Sequence, residues 1–286
     1  MANTETRSSG SFLESLLKLT RFGNLVIIGL AQYFTAGFLI GEHTLTDFSL
    51  FVISTSTILI AAAGYIINDY YDVKIDYINK PQRVVIGKSI TRRYAILFHI
   101  VLSGMGVLLG FLVSWRIVAV NVLSVFLLWL YSNNLKRLPF IGNLTVAFLT
   151  GLSVWILEIH YHTSNSLVLI YASFAFSMTL VREIIKDMED LKGDNTFGCR
   201  TLPIVWGLRR TKFVIYTILL IFSVTVFMLN EFYKALPIKY YLLFLFIPLL
   251  WLLYRLIRAD TTKDFAWLST FCKVIMLLGI LSLAFL

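Results

Sequence analysis

The stretch FSLFVISTSTILIAAAGYIINDYYDVKID, residues 48–76, runs about twenty residues without a charge and then places Asn68, Asp69, Asp72 and Asp76 within nine positions. Roughly 20 apolar residues suffice for a helix to cross a bilayer. Residues 48–70 therefore read as a transmembrane helix with an acidic cluster on its end. The whole chain has the same character. Its 286 residues are 58% hydrophobic and only 14% charged, with a mean hydropathy of +0.80. A soluble domain of this size is roughly a quarter charged. The fold class is all-α and polytopic in the membrane.

Apolar runs between charged or turn-rich breaks predict nine spans, at 23–41, 48–70, 94–113, 117–133, 140–159, 165–183, 212–230, 239–257 and 265–286. Segment 11–21 (SFLESLLKLTR) reads as an amphipathic helix lying on the interface. The chain is expected to form one integral-membrane domain over 1–286, with 1–22 as a cytoplasmic or interfacial N-terminal segment. MANTETRSSG lacks the pattern of a removable signal peptide. Cys199 and Cys272 lie far apart in no ligand spacing, and His160–Tyr161–His162 reads as a solvated loop pair.

Charge sets the orientation. The N-terminal segment and the connections after the second, fourth, sixth and eighth spans carry 21 of the 25 Lys and Arg residues. The alternate connections carry only Arg116, Lys234 and Lys239, and Lys273 falls inside the last span. The positive-inside rule then places the N-terminus and the long loops in the cytoplasm and the C-terminus on the far side of the cell membrane. The net charge of +9 is concentrated on one face, where topology and anionic headgroups account for most of it. With no soluble basic domain, nucleic acid is a poor partner.

Two cytoplasmic connections are long, and each opens with acids: NDYYDVKID (68–76) and REIIKDMEDLKGD (182–194). On a helix at about 100° per residue, Asn68, Asp69, Asp72 and Asp76 fall within roughly a 100° arc. Glu183, Asp187, Asp190 and Asp194 fall within an arc of about 60° by the same arithmetic, so each helix projects a stack of carboxylates from one face. Like charges at i,i+4 repel, so something should compensate them. One such cluster is explicable by solvation or by loop Lys and Arg; two at equivalent helix ends are harder to explain that way. A hard divalent cation held by one or two carboxylates plus phosphate oxygens suits the pattern. The interleaved Lys80, Arg83, Arg182, Lys186 and Arg200 suit a diphosphate leaving group, although topology alone explains any one of them.

These residues resemble the UbiA family of intramembrane prenyltransferases. NDYYDVKID fits its NDxxDxxxD motif and DMEDLKGD its DxxDxxxD motif. NKPQR (79–83), LYSNNLKRLPFIGN (130–143) and TRFGN (20–24) resemble further family segments. The resemblance spans essentially the whole chain and implies Mg²⁺-dependent transfer of a polyprenyl group from a prenyl diphosphate. By position it implies that Asn68, Asp72 and Asp76 bind one metal–diphosphate arrangement and Asp190 and Asp194 the other. Asp69 and Asp187 would support them. Arg21, Lys80, Arg83, Lys136 and Arg200 would hold diphosphate, and Tyr131 would lie near the reacting carbons. REIIKDMEDLKGD followed by GCRTLPIVWG is similar to the geranylgeranylglycerol-phosphate geranylgeranyltransferase subgroup, whose acceptor is a prenylglyceryl phosphate. The segment from Lys80 to Gly87 departs from that subgroup's RPxRPIPSG, with Lys in place of the first Arg and no second Pro.

Ionisation of the diphosphate would leave an allylic cation, for which Tyr65, Tyr70, Tyr71, Tyr131 and Trp155 are candidate aromatic partners. An acceptor of the quinone-precursor type, 4-hydroxybenzoate or 1,4-dihydroxy-2-naphthoate, is the alternative within the same chemistry. An ion-coupled carrier is the remote one. Carriers place their sites near the midplane at broken helices, whereas Asn68 lies near the end of a span without Pro.

Overall fold

The structure is a computed structural model that describes residues 12–233 and 245–285. Among them it is helical with no named strand. The helices are α1 (Phe12–Leu19), α2 (Phe22–Thr35, continued by a π-helical turn, Ala36–Ile40), α3 (Phe48–Asn79), α4 (Arg92–Gly110), α5 (Trp115–Asn133) and α6 (Ile141–Tyr161). They continue with α7 (Ser166–Glu189), α8 (Leu191–Thr196), α9 (Leu202–Tyr233), α10 (Ile247–Arg258) and α11 (Thr262–Ser282). Eight helices among the described residues are long and apolar enough to cross a bilayer. The expected span at 239–257 lies partly outside the described residues, and its described part is α10.

Side-chain caps start several of these helices by satisfying otherwise unpaired N–H groups. Asp47 accepts from the Ser49 N–H, Thr91 from Tyr94, Ser114 from Ile117 and Asn165 from Leu167. Thr261 and Asp264 form a reciprocal capping box ahead of α11. The amphipathic helix expected over 11–21 is present as α1. It buries Leu19 while Phe12, Leu13 and Leu17 remain exposed.

The two helices that carry the acidic motifs lie deepest in the bundle. In α3 and α7, 61% and 72% of the apolar window is buried, against 22% and 17% in α4 and α5. α3 packs against α4 and α5, and α7 packs against α6, α9 and α11. Ile184, Ile185 and Met188 of α7 join Leu252, Phe265 and Cys272 in the largest buried cluster. α4 and α5 instead turn Ile100, Leu108, Trp115 and Phe126 outward, as lipid-facing helices do. At 32 residues α3 is about 48 Å long, well over the roughly 30 Å hydrocarbon core. Its last three turns hold the acids.

Two expectations need correction. The long connection after the sixth span, expected as a loop of about 28 residues, is mostly helix. α7 runs on to Glu189, α8 follows after a one-residue break, and α9 begins at Leu202 rather than 212. Arg209, Arg210 and Lys212 depress the hydropathy of α9's first turns, and Gly207 (φ 78°) kinks it. The second acidic motif is also not one continuous helical stack. Asp190 closes α7 with φ −92° and ψ 7°, and Asp194 rides on α8.

A buried amide ties three helices together at mid-depth. Gln32 on α2 is fully buried. Its Nε2 donates to Thr57 Oγ1 (3.1 Å) and the Ser153 carbonyl (2.8 Å), and its Oε1 accepts from Ser54 Oγ (2.7 Å). Polar groups in hydrocarbon need such internal partners. Gln32→Leu should destabilise the protein by about 1–2 kcal/mol, the upper end for interhelical hydrogen bonds in membranes. Thermal unfolding in detergent measures this.

Candidate active site

A cavity of about 170 Å³ opens between α2, α3, α5, α6, α7 and α11. Its floor is apolar, with Ile27, Ile60, Leu128 and Ile156. Its other end is polar, with Arg21, Asn24, Tyr65, Asn68, Tyr131, Arg182, Glu183, Lys186 and Lys273. A smaller, almost wholly apolar pocket shares Ile27, Ile28, Thr150, Ser153 and Met276 with it and continues toward Phe174 and Leu283.

The first motif is delivered by the unbroken end of α3. Asp72 ion-pairs with Lys136 Nζ at 2.5 Å, and Asn68 Oδ1 lies 3.5 Å from the same nitrogen. Asp69 pairs with Arg21 at 2.7 Å. Arg21 occupies a left-handed turn (φ 52°) between α1 and α2, with its guanidinium 5.0 Å from the Tyr65 ring centroid. Burial opposes the Arg21 charge. Asp69, followed by Tyr65, Glu183 and Asp76, more than offsets it, and the pKa rises further above its ordinary value. Lys136 behaves oppositely, since burial holds its ammonium below the usual lysine range against the pull of Asp72.

The second motif is held across the break between α7 and α8. Lys80, just past the end of α3, lies 2.7 and 3.0 Å from the two oxygens of Asp190 and 2.9 Å from Glu189. Asp187 accepts from Asn143 Nδ2 on α6 at 2.8 Å. Burial lifts the Asp194 carboxyl to about 7, with the charges of Asp190 and Asp72 adding to the effect. Asp72 belongs to the first motif and Asp194 to the second, so the two acidic groups stand within electrostatic reach of each other.

What joins the motifs is Asn79, the last residue of α3. Its Nδ2 donates to the Asp190 carbonyl (3.0 Å), and its Oδ1 accepts from the Gly193 N–H (2.8 Å). A Cβ on Gly193 would meet this amide at 2.5 Å, so the close approach needs glycine there. Asn79 had no role in the sequence reading. Its only signal was its place directly before Lys80.

Of the expected site residues, Arg21, Asn68 and Tyr131 line the polar end of the cavity, Lys136 ties Asp72 to Asn68 there, and Lys80 holds Asp190. Asp76 lies one turn beyond Asp72 on α3, and Asp69 and Asp187 each already have a protein partner. Arg83 and Arg200 are exposed on the loops, where the Arg200 N–H donates to the Arg137 carbonyl. Of the candidate aromatics, Tyr65 and Tyr131 line the cavity. Tyr70 lies under Arg92, Tyr71 is beside Lys136, and Trp155 packs elsewhere, near Leu39 and Val168.

The UbiA prenyltransferase family profile matches residues 30–280. The chain belongs to that family. It is a multi-pass membrane prenyltransferase. Among its relatives, the digeranylgeranylglyceryl phosphate synthase of Saccharolobus solfataricus is 32% identical over 278 residues, covering 94% of this chain and 95% of that protein. The synthase of the same name from Methanothermobacter thermautotrophicus is 38% identical over 179 residues, 63% of either chain and so under two thirds of that relative's length. Among UbiA-family structures, a solved digeranylgeranylglyceryl phosphate synthase superposes with a TM-score of 0.71 at 24% identity, covering 96% of this chain and 98% of that one. A UbiA homolog from Archaeoglobus fulgidus bound to DMAPP and Mg²⁺ superposes at 0.66 and 14% identity, covering 95% and 100%. At these identities the superpositions speak to the shared fold.

Proposed function

We propose that this prenyltransferase moves a geranylgeranyl group from its diphosphate to the free hydroxyl of geranylgeranylglyceryl phosphate, with Mg²⁺. The observation that carries the reading is the pair of acidic motifs latched together over a cavity that is polar at its mouth and apolar below. The recurrence of digeranylgeranylglyceryl phosphate synthases among its relatives supports the acceptor.

The residues fit the metal. The donors are hard oxygens from Asp72, Asp76, Asp190 and Asp194 with the Asn68 amide. Among the described residues no three carboxylates, histidines or cysteines converge on one point. That suits Mg²⁺, which is usually held by one or two carboxylates and completed by substrate phosphate and water. When bound it neutralises charge developing on the departing diphosphate. Lys80 and Lys136, which neighbour Asp190 and Asp72, are assigned to the same phosphate oxygens, and Arg21, Arg83 and Arg200 to the same task from the mouth. Tyr65 and Tyr131 line the cavity, where an aromatic π surface stabilises an allylic cation without capturing it. The prenyl tail lies along Ile27, Ile60 and Ile156 toward the smaller apolar pocket. The acceptor oxygen forms its bond to the prenyl C1 as the C1–O bond to diphosphate breaks, and the hydroxyl proton passes to the released diphosphate.

Nine spans, a single domain over 1–286, a cytoplasmic N-terminus and cavity mouth, and a far-side C-terminus complete the reading, supported by the 21-to-3 split of Lys and Arg. The experiment is an acceptor panel with purified protein and labelled geranylgeranyl diphosphate. Product should form with geranylgeranylglyceryl phosphate and not with 4-hydroxybenzoate or 1,4-dihydroxy-2-naphthoate. Chelation should abolish it and added Mg²⁺ restore it. Transfer only to an aromatic acceptor would overturn the acceptor assignment, and undiminished turnover in chelator would overturn the metal.

A further inference from the structure

Lys273 sits in the middle of α11, about 16 Å along the helix from its first residue, at a depth where an ammonium is costly unless it serves a cavity or a partner. A lysine that only snorkels to the interface extends along lipid. Lys273 instead lines the main cavity. Among the described residues it makes no ion pair and no hydrogen bond. It lies within electrostatic reach of Arg182, Arg21, Arg83 and Lys186, all of its own sign.

Facing it across the cavity wall, α7 contributes Arg182, Glu183 and Lys186. Glu183 Oε1 contacts Arg182 at 2.5 Å and its Oε2 contacts Lys186 at 3.3 Å, so this one carboxylate is shared by two cations. Arg182 Nε is buried and has no hydrogen-bond partner among the described residues. Three cations less one carboxylate leave two positive charges on this wall. Lys80 and Lys136 are engaged elsewhere, on Asp190 and Asp72. The site thus holds two sets of cations: Lys80 and Lys136, ion-paired with the metal-binding acids, and Arg182, Lys186 and Lys273, whose only ion pairs among the described residues are those of Arg182 and Lys186 with Glu183.

We infer that Lys273, with Arg182 and Lys186, forms an anion subsite that binds the phosphate monoester of the acceptor and so selects a phosphorylated lipid. The inference rests on the acceptor reading above. A transfer between two anionic lipids needs two phosphate sites. A phosphate monoester carries about −1.5 to −2 charges near pH 7, which matches the surplus on this wall. With its phosphate held there and its glycerol hydroxyl turned toward Tyr131 and the diphosphate, the acceptor is positioned for attack.

The test uses the full-length protein in nanodiscs and the variants Lys273→Met and Lys273→Arg. Lys273→Met should raise KM for geranylgeranylglyceryl phosphate by roughly tenfold or more, the scale of one charge-assisted hydrogen bond, while KM for geranylgeranyl diphosphate stays within about threefold. Lys273→Arg should recover most of the loss. Calorimetry with dodecyl phosphate, which requires no turnover, should show the same dependence on Lys273, and dodecanol should show none. Equal rises in both KM values would overturn the subsite, as would dodecyl phosphate binding that Lys273→Met leaves unchanged. If the wild-type protein binds dodecyl phosphate through Lys273 but prenylates no phosphorylated acceptor, the acceptor reading falls and the anion subsite stands.

Discussion

Asp72→Asn and Asp190→Asn should each lower prenyl transfer by at least about a hundredfold, the scale seen when one preorganised electrostatic group is removed from a transition-state site. Asparagine keeps the size and one acceptor oxygen, so the change removes charge with little change in packing. The two residues belong to different helices and, in the proposed function, act on one diphosphate. The double variant should therefore be scarcely worse than either single one, as happens when groups work as a unit. Fold retention is expected for different reasons at the two positions. Beside Asp72, Lys136 keeps the Asn68 oxygen at 3.5 Å. Beside Asp190, Lys80 keeps Glu189 at 2.9 Å. Turnover with labelled prenyl diphosphate and thermal unfolding in the same detergent measure the two properties separately. Near-normal turnover in either single variant would remove that residue from the metal–diphosphate site.

Gly193→Ala should reduce transfer by roughly a hundredfold through geometry alone, because misplacing a catalytic group by about 1 Å costs on that order. The new Cβ would stand 2.5 Å from both the oxygen and the nitrogen of the Asn79 amide. Asn79 can move aside only by giving up its bonds to the Asp190 carbonyl and the Gly193 N–H. Breaking them costs about 1–3 kcal/mol and frees the α7–α8 turn from the end of α3. A double-mutant cycle isolates the cause. Asn79→Ala alone should also impair transfer, and adding Gly193→Ala to it should cost little more, because the collision has gone. If Gly193→Ala is equally damaging with and without Asn79, the latch is not its mechanism.

Much of this was visible before any coordinates. Membrane-length apolar runs set the all-helical architecture because a backbone in hydrocarbon must bond within its own segment. The first acidic motif was correctly placed because α3 runs unbroken from Phe48 to Asn79, so helical periodicity maps sequence spacing directly onto one face. The same periodicity misled at the second motif. Asp190 ends α7 and Asp194 starts again on α8, and a one-residue break resets the angle that residue counting assumes. The start of α9 was missed for a similar reason, since Arg209, Arg210 and Lys212 mask a helix whose stability comes from packing against α7.

By itself, then, the sequence determined that the chain crosses the membrane many times and carries two acidic motifs with basic companions on one side of it. Those properties follow from hydrophobicity, charge and helical period, all of which act over a few residues. Only the tertiary structure decided which cation meets which acid, that Asn79 and Gly193 hold the motifs together across 114 residues of chain, and that Lys273 faces the cavity rather than lipid. These depend on how distant helices pack, and local sequence pattern does not encode the rotation of one packed helix against another.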